Sequence, residues 1–200
     1  SKLWSTTGNA GTDETTDFIG TTDTKALMFR VNNIHSGRIG RFDGSLYLGY
    51  EAGLNEDLED FSNNHNTFIG FQAGKFTTTG FYNTAVGSRA LTNNTLGSGN
   101  IAIGDSSLRD NTEGSLNVAI GEVALSSNTT GDYNIAIGSG SLSSNTTTSH
   151  SVAIGYAVLS ANTTGSGNIG VGLQALNNNL TGNDNVAIGS NSLYSNVDGR

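Results

Sequence analysis

A glycine returns every 17 residues through most of this chain, at Gly70, Gly87, Gly104, Gly121, Gly138, Gly155, Gly172 and Gly189. Each one closes the same phrase of small or apolar residue, alanine, apolar residue, glycine, with Phe68 and Gly170 standing in for the alanine in two units. Self-similarity at a fixed period is the mark of a repeat architecture. With Asn66 as position 1 and h for an apolar residue, the unit reads N-h-A-h-G-x-x-A-L-x-x-N-T-T-G-x-x. Eight units fill residues 66–200, the last ending one residue short at Arg200. A degenerate ninth opens at Ser45 and carries an insertion over residues 54–65.

Each column has a physical reading. Position 5 is glycine in all eight units and position 15 in seven, with Thr148 the exception; such columns mark corners that need positive φ or leave no room for a Cβ. Positions 2 and 4 place β-branched residues around an alanine, as in Val118-Ala119-Ile120 and Ile135-Ala136-Ile137, and this alternation predicts a strand. Leucine at position 9 (Leu91, Leu108, Leu125, Leu142, Leu159, Leu176, Leu193) predicts the start of a second, shorter strand. Asn-Thr-Thr-Gly at positions 12–15 predicts a turn. A unit this short cannot bury its own apolar face, whereas stacked parallel copies can. The expected fold class is all-β, a parallel β-roll (β-solenoid) of about 8–9 coils; at roughly 4.8 Å per coil, eight coils make a rod of about 40 Å. The asparagines at positions 1 and 12 predict stacked ladders of side-chain amides.

The ends differ from the middle. Phe61, Phe68, Phe71, Phe76, Phe81 and Tyr82 cluster around the first full coil and are expected to plug the open end of the roll. Residues 1–44 lack the repeat and read as a separate small β-rich element, with strand candidates at 17–20, 26–31 and 38–42. The repeat domain is then 45–200, with regular units over 66–200. Because the chain opens on Ser1 without a methionine or a visible signal peptide, it is expected to be a segment of something longer.

Composition narrows the function classes. No cysteine means no disulfide framework, no thiolate metal site and no cysteine nucleophile. The apolar runs are too short to cross a bilayer, so no direct membrane insertion is expected. A net charge of −8 with only 13% charged residues argues against a nucleic-acid partner.

The core Asn117-Val118-Ala119-Ile120-Gly121, followed by Ala124, resembles the head repeat of trimeric autotransporter adhesins. The longer unit with its Asn-Thr-Thr-Gly turn is also similar to repeats of phage and phage-like tail fibres. The stretch from Phe18 to Asn33 loosely resembles the segment that precedes such arrays. The resemblance covers residues 45–200 well. It implies a left-handed parallel β-roll, a homotrimer, and a place in an extracellular fibre on a cell surface, a virion or a phage-like contractile injection particle. The usual adhesin coil is shorter than 17 residues, so one corner here is lengthened.

A trimer also follows from the columns themselves. If the large residues at positions 2, 4 and 9 fill a narrow roll, the position-3 column (Ala85, Ala102, Ala119, Ala136, Ala153, Gly170, Ala187) faces outward as a smooth stripe suited to a threefold axis. The opposite facing, with isoleucine outside, also implies a trimer, because isoleucine stripes left exposed are sticky.

Catalysis finds little support. His65 and His150 fall at position 17, a corner, and neither they nor His35 has a carboxylate at a recurring offset. The acids Asp105, Asp110, Glu113, Glu122, Asp132, Asp184 and Asp198 fall in scattered columns, which argues against a calcium ladder. The dense run Glu56-Asp57-Leu58-Glu59-Asp60 is read as a solvated loop. No metal or cofactor is expected, and the chain is read as a non-enzyme. The Thr129-Thr130, Thr146-Thr147 and Thr163-Thr164 columns raise an ice-binding face as an alternative. The sequons at Asn128, Asn145 and Asn162 are by-products of the repeat. Positions 6, 7, 16 and 17 carry the variation, with Phe71, Arg89, Tyr133, Tyr156 and Gln174 as surface candidates. The expected function is a structural and adhesive segment of a trimeric extracellular fibre that attaches to a cell surface or glycan. A monomeric solenoid binding ice or polysaccharide is the alternative.

Overall fold

A computed structural model describes residues 19–22, 25–40, 44–56 and 64–199. Eleven strands form one sheet in chain order: β1 (Leu27–Val31), β2 (Ile34–Ile39), β3 (Leu46–Leu48), β4 (Thr67–Ile69), β5 (Thr84–Val86), β6 (Ile101–Ile103), β7 (Val118–Ile120), β8 (Ile135–Ile137), β9 (Val152–Ile154), β10 (Ile169–Val171) and β11 (Val186–Ile188). From β3 onward every neighbour is parallel and in register, so that Ala102 pairs with Ala119 and Ala119 with Ala136. The molecule is a parallel β-solenoid, with no helix among the described residues.

The first two strands are a hairpin. Asn32 and Asn33 both have positive φ (49° and 60°), the signature of a two-residue type I′ turn. β2 pairs antiparallel with β3 and so covers that edge of the sheet. The expected strand at 26–31 is β1. The candidate at 38–42 begins four residues too late, because the Asn-Asn turn starts β2 at Ile34. Ile19 and Gly20 lie in a bend, while residues 17, 18, 41 and 42 fall outside the described residues.

No second strand begins at the position-9 leucine. Residues 121–128 form two successive turns, closed by Ala124 N–H to Gly121 O (3.3 Å) and Asn128 N–H to Leu125 O (3.2 Å). Positions 7 and 9 are left-handed in this segment, with Val123 at φ 49° and Leu125 at φ 52°. Their amides bond to neighbouring coils in opposite directions: Val123 N–H donates to Asp105 O and Leu125 N–H to Ser141 O, both at 2.9 Å. The coils thus stay hydrogen-bonded to each other around a corner too tight for a strand.

The facing of the strand is the reverse of the one expected. Ala85, Ala102, Ala119, Ala136 and Ala153 are fully buried within a single chain, with Ala187 nearly so, and Gly170 shares their inward column. These side chains line the interior and therefore cannot form a stripe between chains. The isoleucines and valines at positions 2 and 4 point outward. What fills the interior is alanine at position 3, a small residue at position 8 and leucine at position 9.

That interior conserves volume within a coil and between neighbouring coils. In the first two coils position 3 is aromatic, Tyr47 and Phe68 stacked at 5.2 Å, and position 9 is then glycine. A Cβ on Gly53 would lie 2.8 Å from the Tyr47 ring. In the coil of β10, position 3 is Gly170, and a Cβ there would lie 2.5 Å from Val158 Cγ1, the one valine in the position-8 column. Of the five described rings among the six expected to plug the open end, only Phe68 enters the interior. Phe71, Phe76, Phe81 and Tyr82 stay on the surface, and Phe61 falls outside the described residues.

The buried amides form the expected ladders. At position 12, Asn111 Nδ2 donates to Asn94 Oδ1 (2.7 Å) and to Gly114 O (2.8 Å), and Asn128 repeats both bonds one coil on. At position 1, Asn100 Nδ2 closes its own coil onto Gly114 O (2.9 Å), while its Oδ1 accepts the Asn117 backbone N–H (3.0 Å). The Asn100, Asn111 and Asn128 amides are thereby satisfied by neighbours, whereas Thr77 Oγ1 at position 12 and Ser151 Oγ at position 1 are buried without a hydrogen-bond partner. The corner glycines serve the same stacking: Gly121 sits at φ 131°, and a Cβ on it would lie 2.7 Å from the Gly138 carbonyl carbon. At position 15 the limit is space alone, since a Cβ on Gly114 would lie 2.5 Å from Gly131 O. Thr148 is the exception in this column; its hydroxyl lies against Asn145 Oδ1, and position 1 of the next coil is there Ser151, where the other seven regular units have asparagine.

Candidate assembly surface

Positions 2 and 4 of nine stacked strands make the outer face of the sheet. It runs from Leu46 and Leu48 through pairs such as Ile101 and Ile103, Ile135 and Ile137, to Val186 and Ile188. All eighteen residues are Ile, Val, Leu or Thr, with no charge and no amide in either column. In mid-rod the side chains remain open: Ile103 is 39% exposed and Ile154 38%. Nine strands at about 4.8 Å, with a width of about 10 Å, give a face on the order of 400 Å². Elsewhere the exposed apolar residues, such as Phe76, Leu96 and Leu180, interrupt polar columns, so this continuous face is where the chain departs from an ordinary solvated rod.

Irregular columns border the face on both sides. Position 17, just before each strand, is left-handed throughout: His65, Tyr82, Leu116, Tyr133, His150 and Asp184 have φ between 48° and 65°. His65 stacks on Tyr82 at 5.3 Å and Tyr133 on His150 at 5.2 Å. Position 6, just after the strand, holds Tyr50 stacked on Phe71 at 5.5 Å. Beside that pair, Arg89 lies over the Phe71 ring, and Lys75 pairs with Glu51 at 2.6 Å. Hydrogen bonds from Lys75 and Gln72 hold the Glu51 carboxyl below its ordinary pKa.

Several expected sites resolve differently. Glu56 is buried at position 12 of the degenerate coil, where its Oε1 accepts from Asn66 Nδ2 at 2.7 Å, and is not part of a solvated loop; residues 57–60 fall outside the described residues. The position-13 threonine hydroxyls donate to the next coil, as Thr112 Oγ1 does to Thr129 O (3.1 Å) and Thr129 Oγ1 to Thr146 O (3.1 Å). Those hydroxyls are tied to backbone, as is Thr163 Oγ1 to Leu180 O (3.0 Å), although Thr146 and Thr163 remain exposed beside their position-14 neighbours. Asn128, Asn145 and Asn162 are fully buried ladder members, so their sequons are closed to modification in the fold. Position 16, read as variable surface, is a further ladder: Asp132 Oδ1 accepts the Ser115 N–H at 2.7 Å and Ser149 Oγ the Asp132 N–H at 2.9 Å. The signal was present as a column of Ser, Asp and Asn. Gln174 and Arg89, at position 7, share the left-handed corner with Gln72.

Among the described residues no group of three His, Cys, Asp or Glu is arranged to hold a metal ion, and no helix is long and apolar enough to cross a membrane. No protein-family model, no curated protein and no solved structure matches the chain.

Proposed function

We propose that this chain is a non-enzymatic structural and adhesive segment of a trimeric extracellular fibre, of the surface-adhesin or tail-fibre kind, that attaches to a cell surface or polysaccharide. The observation that carries the reading is the uncharged Ile/Val face along the whole rod. Three parallel copies that turn this face to a common axis would remove on the order of 400 Å² per chain from water, worth about 10 kcal/mol before the cost of association. A cyclic arrangement suits a rod because each copy contributes the same stripe at every height. The polar outer faces then appear in triplicate, so that weak contacts to a surface add through avidity.

Light scattering coupled to size exclusion tests the assembly: the mass is expected near three times the 20.6 kDa chain. Ile120→Lys together with Ile137→Lys is expected to give a monomer. A wild-type monomer, or an assembly unchanged by both lysines, overturns the trimer. Binding of the assembled protein to cells and to a glycan array tests the adhesive role, and a trimer that binds neither limits the chain to a stalk.

A further inference from the structure

At seven of the nine levels the two columns that border the apolar face vary together, although the face lies between them; the other two levels pair Leu116 with Glu122 at β7 and Asp184 with Ser190 at β11. At the levels of β5 and β8, position 17 is tyrosine (Tyr82, Tyr133) and position 6 is serine (Ser88, Ser139). At β4 and β9, position 17 is histidine (His65, His150) and position 6 is an aromatic ring (Phe71, Tyr156). Where position 17 is glycine, at β3, β6 and β10, position 6 is larger than serine: Tyr50, Asp105 and Leu173. Each pair is separated by the outward side chains of positions 2 and 4, a span of about 10 Å, so contact within one chain does not account for the match.

Backbone conformation does not explain the residues at position 17 either. The corner is left-handed at every level, and Gly99 and Gly167 (both φ 69°) show that glycine serves there. A tyrosine or leucine in that conformation costs about 1–2 kcal/mol. Tyr82 and Tyr133 are more than half exposed, so burial in their own chain does not offset that cost. Bulky residues held in a strained, exposed conformation point to a partner.

In a cyclic trimer of parallel rods, the border before the strand in one copy meets the border after the strand in the next, at the same height. We propose that the second surface is another copy of this chain: the position-17 column of one copy interlocks with the position-6 column of its neighbour, level by level. Tyrosine fits over serine, histidine stacks on an aromatic ring, and glycine leaves room for a bulky residue. This alternation sets the axial register, which the smooth Ile/Val face alone leaves free to slide. The inference rests on the trimeric reading above and adds to it which residues meet.

The chain has no cysteine, so a pair can be introduced cleanly. Tyr133→Cys with Ser139→Cys, oxidised in the assembled protein, is expected to give a covalent trimer on a non-reducing gel; Tyr82→Cys with Ser88→Cys is a second matched pair. The mismatched pair Tyr133→Cys with Ser88→Cys lies three coils apart, about 14 Å, beyond disulfide reach, and is expected not to cross-link. A light-scattering trimer in which neither matched pair cross-links, or in which matched and mismatched pairs do so equally, overturns the interlock and leaves the trimer standing. A monomeric protein overturns both.

Discussion

One exchange of volume in the interior, between Val158 and Gly170, sets up a double-mutant cycle. Gly170→Ala alone places a methyl 2.5 Å from Val158 Cγ1; the next atoms are farther, Ala175 O at 3.5 Å and Leu159 Cδ1 at 3.7 Å. One contact therefore decides the outcome, and overpacking of this kind costs about 1–3 kcal/mol. Val158→Ala alone removes two buried methyl groups beside a glycine and leaves a void, at a cost of about 2 kcal/mol. The double variant gives these two neighbouring coils the Ala/Ala pair seen at Ala124 and Ala136, and is expected within about 1 kcal/mol of the parent. For a chain of this size, 2 kcal/mol corresponds to a shift in Tm of roughly 4–8 °C, readable by circular dichroism, with urea melts giving the free energies. Losses that add in the double variant, with coupling below about 0.5 kcal/mol, would refute the claim that the two positions share one space.

Other outcomes follow from the same geometry. Asn128→Asp sets a carboxylate against Asn111 Oδ1 and Gly131 O, where two N–H bonds now lie, and is expected to cost about 3–5 kcal/mol at neutral pH; a urea midpoint equal to the parent's would contradict the ladder. Ser151→Asn alone is expected to destabilise, because Thr148 occupies the adjoining space. With Thr148→Gly it restores the position-1 ladder and should gain about 1 kcal/mol by thermal melt. His35 is held below its ordinary pKa of 6.5, first by burial and then by the Arg30 and Arg38 cations. The unfolded chain then binds the proton more readily, so stability is intact above pH 6.5 and declines as pH falls below it toward the lower folded value. His35→Gln is expected to flatten that decline, and an identical pH profile would show that His35 is not its source.

Much of the fold was legible in the residues. The 17-residue step, the β-branched pairs and the two glycine columns require stacked coils. The asparagine columns foretold the amide ladders, since a buried amide repeated at one position finds its partner in the next copy. The hairpin turn at Asn32-Asn33 is also written in the chain, although two asparagines in a Thr/Gly-rich stretch read equally as loop. The path after the corner glycine was harder. Leucine at position 9 looked like a strand residue, and only the closed coil holds it left-handed at φ 52° so that its side chain turns inward.

Which face of the strand points inward was beyond the sequence. Both alternating sets are apolar, alanine on one side and isoleucine or valine on the other, so period-two reasoning is satisfied by either facing. The circumference of the coil decides it. With Leu125, Ala124 and two layers of asparagine amides already inside, the space left opposite the strand admits a methyl and not an isoleucine. The larger side chains are excluded to the outside, and the same packing that closes the roll thereby creates the apolar face by which copies of the chain are proposed to assemble.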